Sequence, residues 1–253
     1  MIKNFIKFVL TSFGYQVSKI NPNFISYPKK KCNEGLLNEI LSNKSTSLVI
    51  DVGANCGDWA IDLRSWGYRG RILSFEPLTR EFNLLAERSY KDLNWEALNL
   101  AVGDCNYNAQ INISNNSVSS SLSQILPDHI EAESSSKTIG QQSIEIVSLD
   151  QCEHSWVKSS KSIFIKIDVQ GFEKKVLDGA LNLLGRTALI QLELSFNPLY
   201  SDDVCFNEMK LFLKEKGFLP YHIQDGFRHS QTGELLQVDV LFVNQRIIRT
   251  ALN

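Results

Sequence analysis

Leu48-Val49-Ile50-Asp51-Val52-Gly53-Ala54-Asn55-Cys56-Gly57 is an apolar run that ends in an acid and enters a glycine turn. The next apolar run, from about residue 71, ends in a second acid at Phe75-Glu76-Pro77. Two buried strands of this kind, with a helix between them, are how a doubly wound α/β domain holds a nucleoside. The glycines let backbone approach closely, and Glu76 can accept hydrogen bonds from both ribose hydroxyls.

The spacing selects the nucleoside. A dinucleotide site uses G-x-G-x-x-G with a pyrophosphate on the helix N-terminus, and a P-loop uses G-x-x-x-x-G-K-[ST]. This chain carries Gly53 and Gly57 alone, separated by Ala54-Asn55-Cys56. That pattern resembles motif I of class I S-adenosylmethionine-dependent methyltransferases, D-x-G-x-x-x-G, whose loop faces a methionine moiety. Asp51 at the end of the strand suits a cationic, zwitterionic ligand better than a pyrophosphate.

Outward from this pair, apolar runs near 95–100, 162–168, 188–195, 218–223 and 237–243 join 47–52 and 71–75 as strands. Near-continuous apolar runs imply burial on both faces of a parallel sheet. Helices are expected near 57–67, 78–91, 171–184 and 203–216, with Gly67 and Gly217 just past two of their ends. Phe206, Met209, Phe212 and Leu213 form the buried face of the last helix. The expected fold is a doubly wound, mostly parallel seven-stranded α/β sheet over residues 46–253. Residues 1–45 precede it as a helical extension, and a segment of roughly 104–161 is inserted.

The insertion breaks the α/β rhythm. It holds Asn115-Asn116-Ser117-Val118-Ser119-Ser120-Ser121 and Glu133-Ser134-Ser135-Ser136. Such sequence reads as a flexible linker on composition alone. Alternation at Ala109–Ser114 and Ser143–Leu149 argues instead for an added hairpin. The segment leaves the carboxyl end of the third strand, where open α/β sheets bind ligands, so a mobile lid shaping the acceptor pocket is expected.

Composition narrows the function. The chain has 253 residues, 43% of them hydrophobic, and a net charge of −2, which gives no general attraction to nucleic acid. Lys29-Lys30-Lys31 reads as a solvated turn. The five cysteines, Cys32, Cys56, Cys105, Cys152 and Cys205, show no C-x-x-C pairing. A reducing, cytoplasmic setting follows, without a disulfide framework or structural zinc. Ile2, Phe5, Ile6, Val9, Leu10 and Phe13 fall on one helical stripe that is expected to pack on the domain. A weak membrane-surface contact through residues 1–14, or a partner helix, is its functional alternative.

A second run, Ile163-Phe164-Ile165-Lys166-Ile167-Asp168-Val169-Gln170-Gly171-Phe172-Glu173, is a buried strand carrying two charges. Lys166 and Asp168 share a face. A lysine there needs a partner, and Glu193, in the run Ala188–Ser195, is the expected one if the strands are neighbours. Asp168 ends its strand before a glycine turn, at the edge of the expected cleft.

Together these runs resemble the FkbM family of methyltransferases: Asp51–Gly57, Phe75–Pro77, Asn99-Leu-Ala-Val-Gly103, Lys166–Glu173 and Val238-Asp-Val-Leu-Phe-Val-Asn244, in the family's order over residues 48–244. The family pattern usually has Glu where this chain has Gln170. The resemblance implies S-adenosylmethionine as cofactor and S-adenosylhomocysteine as product. Asp51, Gly53, Ala54, Asn55 and Gly57 would line the methionine end, with Asp168 beside them. Glu76 would hold the ribose with Pro77 shaping the turn, Ala101 and Val102 would border the adenine, and Ser121 would sit near the cofactor. Family members typically methylate hydroxyl oxygens of sugars, glycolipids or polyketide-type products.

Asp168 is the first expected base or orienter, followed by Glu193 and then His129. A metal-assisted variant would need a second ligand beside Asp168, and none is legible, so no metal is expected. A small-molecule or glycan acceptor is expected, and no nucleic-acid partner. Methylation of RNA or protein, and a cofactor-binding module without catalysis, are the alternatives.

Overall fold

The computed structural model describes residues 46–246. The expected helical extension at 1–45, its surface contact through residues 1–14, and Cys32 lie outside the described residues. The run that ends in Asp51 forms β1 (Leu48–Val52), buried at every position. It is followed by α1 (Asp58–Ser65), β2 (Arg71–Phe75), α2 (Thr79–Ser89) and β3 (Trp95–Leu98). The insertion contributes β4 (Ala101–Val102), β5 (Tyr107–Ser114), α3 (Pro127–Ala132), β6 (Thr138–Val147) and α4 (Ser155–Ser159). The rhythm resumes with β7 (Ile163–Ile167), α5 (Glu173–Asp178), β8 (Thr187–Ser195), α6 (Phe206–Glu215), β9 (Phe218–Asp225) and β10 (Gln237–Asn244).

The main sheet has seven strands in the order β3-β2-β1-β7-β8-β10-β9. Five run parallel, and β10 lies antiparallel between β8 and β9. This is the doubly wound, mostly parallel α/β sheet expected from the apolar runs. The strand order reverses direction at β1, whose neighbours β2 and β7 lead away on opposite sides. A crevice therefore opens at the carboxyl ends of these strands.

The core explains why the strands read as apolar runs. Ile50, Val52, Phe75, Ile165, Ile167, Ile190, Leu192 and Phe242 join one buried cluster. Helix α6 closes it with Met209 and Leu213, both fully buried, and with Phe206 and Phe212 half-buried against it. Gly67 and Gly217 follow their helices with φ of 105° and 92°, the left-handed conformation that ends a helix at low cost in glycine. Among the described residues, no helix is long and apolar enough to cross a membrane.

Two expectations need correction. The strand expected at 95–100 stops at Leu98. There Asn99 donates its side-chain amide to the carbonyls of Glu76 (2.9 Å) and Pro77 (3.0 Å), turning the chain so that Ala101-Val102 pairs with β6 in a second sheet. The helix expected at 171–184 ends at Asp178 and resumes only as a 3-10 turn, Leu183–Arg186. At the break, a Cβ on Gly179 would stand 1.9 Å from the Gly103 carbonyl oxygen, so the close crossing of those two segments requires glycine.

The serines of the insertion lie within ordered structure. The insertion is a three-stranded sheet, β4-β6-β5, and its β5–β6 hairpin pairs Ala109 with Ile144 as the alternation implied. The Ser-rich stretch between the arms is built structure, not a linker. Asn116 accepts from the Ser119 backbone, Ser114 donates to the Ser119 carbonyl at 3.0 Å, and Ser121, Ser123 and Ser136 are buried. Short hydroxyl side chains here replace the backbone partners that a tightly turning chain lacks.

Candidate active site

The turn after β1 is shaped by its neighbours. Gly53 and Ala54 both donate backbone N–H to the Phe75 carbonyl at 3.0 Å, joining the ends of β1 and β2. Gly53 has φ of 76°, and a Cβ there would lie 1.9 Å from the Asp168 carbonyl oxygen. Gly57, at φ of 86°, faces Leu85 and Trp95 instead. Both glycines therefore answer to packing by other parts of the chain; close approach to a ligand is not what excludes their side chains.

Glu76 is buried yet reaches the crevice. Its Oε2 accepts from Asn55 N at 2.7 Å and its Oε1 from Leu78 N at 2.8 Å. Burial pushes its carboxyl up to about 7, against the pull of those two donors. A carboxylate offers roughly four acceptor positions, so two stay free for further donors.

The crevice is a cleft with about 680 Å3 of empty volume, solvent-side space included, within the range of small-molecule sites. Gly53, Asn55, Glu76, Pro77, Ala101, Val102 and Asp168 line it, so seven of the expected site residues converge. The insertion supplies the opposite wall through Ile111, Ser117, Val118, Ser120 and Leu122. Asn55 reaches across to it, donating to Ser117 Oγ at 3.3 Å.

The carboxyl end of β7 supplies the charged side. Lys166 Nζ lies 3.2 Å from Asp168 Oδ2, 3.5 Å from Asp51 Oδ1 and 3.4 Å from the Gly53 carbonyl. Burial opposes its charge, but Asp168 and Asp51 outweigh that and raise its pKa above the ordinary lysine value. The expected Lys166–Glu193 pair is not formed. Strands β7 and β8 are neighbours, but their register sets Lys166 against Gln191, and the two aspartates take the ammonium. Asp51 is fully buried beneath this group; burial pushes its carboxyl up against the attraction of Lys166.

Glu193 pairs with Gln170, whose Nε2 donates to Glu193 Oε2 at 2.8 Å and to Asp168 Oδ1 at 2.9 Å. Burial first, then the charges of Asp168, Asp239 and Glu173, holds the Glu193 carboxyl well above the usual range. Asp239, opposite Glu193 on β10, is pushed up to about 6 by burial and then Asp168.

The remaining expected residues do not line the cleft. Asp51, Ala54 and Gly57 shape the turn from behind. Ser121 is buried and donates to the Gln170 carbonyl at 2.6 Å, which fastens the insertion to the β7 turn. His129, buried in α3, packs edge-on to Tyr200 and beside Phe227 at ring distances of 5.0 and 5.1 Å. Burial lowers its pKa to about 4 and Nδ1 has no partner, so it stands in an apolar cluster away from the cleft.

Sequence reasoning passed over Glu173, Tyr200 and Asp239. Glu173 accepts backbone N–H from Val169 and Gly171, both at 3.1 Å, and burial pushes it up to about 8. Its place two residues after Gly171, in the first turn of a helix, was the available signal.

The model of the methyltransferase FkbM domain matches residues 51–220, most of the chain and both halves of this site. The chain belongs to the FkbM methyltransferase family. As a member it is an S-adenosylmethionine-dependent methyltransferase. No curated protein sequence matches it. Among solved structures, it is similar to magnesium protoporphyrin IX methyltransferase of Synechocystis PCC 6803 with bound S-adenosylmethionine, at 10% identity and a TM-score of 0.45 over 96% of this chain and 97% of that one. It is also similar to the 1,6-didemethyltoxoflavin N1-methyltransferase of Burkholderia thailandensis, at 8% identity and a TM-score of 0.46 over 87% and 79%.

Proposed function

We propose that this methyltransferase acts on a hydroxyl oxygen of a small acceptor, a sugar, glycan or natural product, in the cytoplasm and without a nucleic-acid partner. The observation that carries the reading is Asp168. Its side chain is 37% exposed at the cleft, fixed by Lys166 on one oxygen and Gln170 on the other. A fixed carboxylate with open acceptor positions suits an incoming O–H. The four described cysteines, all free, support a reducing compartment.

The cleft fits the cofactor. Glu76 keeps two acceptor positions for the ribose, Ala101 and Val102 offer an apolar wall to the adenine, and Gly53, Asn55 and Asp168 surround the place of a cationic methionine end. When bound, S-adenosylmethionine supplies a methyl group already activated on a sulfonium. The chain has three tasks. Val118, Leu122 and Phe172 line the cleft with apolar surface, which disfavours water there. The walls align the acceptor oxygen, which in favourable cases contributes roughly 7–11 kcal/mol. Asp168 takes or orients the hydroxyl proton, a contribution of about 10²–10⁴-fold for a general base.

A test is methyl transfer from tritiated cofactor to a panel of methyl glycosides by the wild type and Asp168→Asn. Alkali-stable label on a sugar, lost in the variant, is the expected result. Label recovered on nitrogen, or as an alkali-labile ester, would overturn the assignment to a hydroxyl.

A further inference from the structure

Gln170 is where four separate parts of the molecule meet. Its Nε2 donates one hydrogen to Asp168 in its own turn and one to Glu193 on β8. Its Oε1 lies 2.7 Å from the Tyr200 hydroxyl, which donates to it. Its carbonyl accepts from Ser121 of the insertion at 2.6 Å. It does this at φ of 58°, a backbone conformation that non-glycine residues rarely adopt, followed by Gly171 at 90°. Glu173 grips the turn on both sides of it through Val169 N and Gly171 N.

We propose that Gln170 is a positioning residue for methyl transfer: its neutral amide spans Asp168 and Glu193 and holds the Asp168 carboxylate in one orientation at the cleft. The inference rests on the reading of Asp168 as the group that meets the acceptor. The side-chain chemistry leaves little choice. A nitrogen with two hydrogens is required between two carboxylates, and an oxygen is required against a hydroxyl donor. Flipping the amide would set its oxygen against the Asp168 carboxylate and its N–H groups against the Tyr200 hydroxyl that now donates. Glutamate, the usual residue of the family pattern here, has no hydrogen to give when ionised and one when protonated, so it bridges at most one neighbour. A strained residue persists only where its surroundings over-determine it, and here five side chains do so, Glu173 through the backbone on either side.

Gln170 and Lys166 hold Asp168 between them, one on each carboxylate oxygen. Removing the amide removes one of these two donors and frees the carboxylate to turn. Installing a carboxylate there sets a like charge beside it.

The experiment is carbon-13 carboxyl NMR of the full chain at one fixed pH, with Asp168 assigned through Asp168→Asn. It compares the wild type, Gln170→Ala, Gln170→Glu and Tyr200→Phe, and each protein is also titrated with S-adenosylhomocysteine. The Asp168 carboxyl signal is expected to move furthest in Gln170→Glu, less in Gln170→Ala and least in Tyr200→Phe, which only loosens the amide. S-Adenosylhomocysteine affinity is expected to change by less than about threefold. An Asp168 signal at the same position in all four proteins would sink the proposal. So would loss of S-adenosylhomocysteine binding in every Gln170 variant, which would make Gln170 part of the cofactor site. If Gln170→Ala does not fold, the isosteric Gln170→Glu and Tyr200→Phe, which keeps its ring, still decide. The reading of Asp168 fails separately, if Asp168→Asn retains full methyl transfer while the signal moves as expected.

Discussion

The turn after β1 and the turn after β7 are built alike. Each passes through a non-glycine residue in the left-handed region, Asn55 at 47° and Gln170 at 58°, the two such residues among those described. Each is braced by a buried carboxylate that accepts two backbone N–H groups: Glu76 from Asn55 and Leu78, Glu173 from Val169 and Gly171. Burial raises both carboxyls, to about 7 and about 8. They differ in one respect. Glu76 lines the cleft and Glu173 does not. The same device holds a turn in both places, and only where it also faces the cleft can it meet a ligand.

Gly53 joins the two turns, and substituting it gives the largest expected effect. In Gly53→Ala the new Cβ meets the Asp168 carbonyl oxygen at 1.9 Å, a backbone atom that cannot swing aside. Together with its positive φ, this costs about 3 kcal/mol or more in urea denaturation and distorts both turns. Gly57→Ala meets the tip of Leu85 at 2.7 Å, a side chain that can shift, and costs about 1–2 kcal/mol. Equal losses would mean that the close crossing of the two turns is not what requires glycine.

Glu76→Ala against Glu173→Ala separates holding from binding. Both leave two backbone donors without a partner and lose about 1–3 kcal/mol of stability per unsatisfied group. Calorimetric titration of S-adenosylhomocysteine should show a loss of about 100-fold in Glu76→Ala, which forfeits the ribose contact, and less than about threefold in Glu173→Ala. Similar losses in both would break the comparison.

The two carboxyls also set a pH dependence. A folded pKa above the ordinary value of 4.5 means that the folded state keeps a proton the unfolded chain gives up. For Glu173, stability therefore falls as pH rises from about 4.5 to about 8, by up to roughly 1.4 kcal/mol per unit. Thermal melts of Glu173→Gln, which cannot ionise, should gain on the wild type across that window. A constant difference would mean Glu173 is ionised throughout.

The main sheet was legible because burial on both faces writes itself as unbroken apolar runs: Leu48–Val52 and Ile163–Ile167 could be little else. The first turn was legible because glycine spacing is tied to backbone conformation. The second was half legible. Asp168 announced itself as an acid before a glycine, but Lys166 and Gln170, which hold it, are themselves held by Asp51 of β1, Glu193 of β8 and Ser121 of the insertion, and no local pattern records a register. Lys166 was matched to Glu193 on shared-face logic, and a register that sets it against Gln191 gave it to Asp51 and Asp168. The order around Ser121 was not legible, because hydrogen bonds made by short side chains leave no periodicity and composition alone reads as linker.

His129 gives the smallest expected effect and tests the far side of the insertion. Its ring packs on Tyr200 and Phe227, and its Nδ1 is buried without a partner. Its pKa, lowered to about 4 from 6.5, means the unfolded chain takes up a proton that the folded one refuses. Stability should therefore fall as pH drops from about 6.5 to about 4, the opposite direction to Glu173. His129→Phe removes that dependence and, near neutral pH, changes stability by less than about 1.5 kcal/mol, since one planar ring replaces another. Its S-adenosylhomocysteine affinity should match the wild type. A loss in that affinity would show that α3 reaches the cofactor through Tyr200 and Gln170, and that the second turn binds as well as holds.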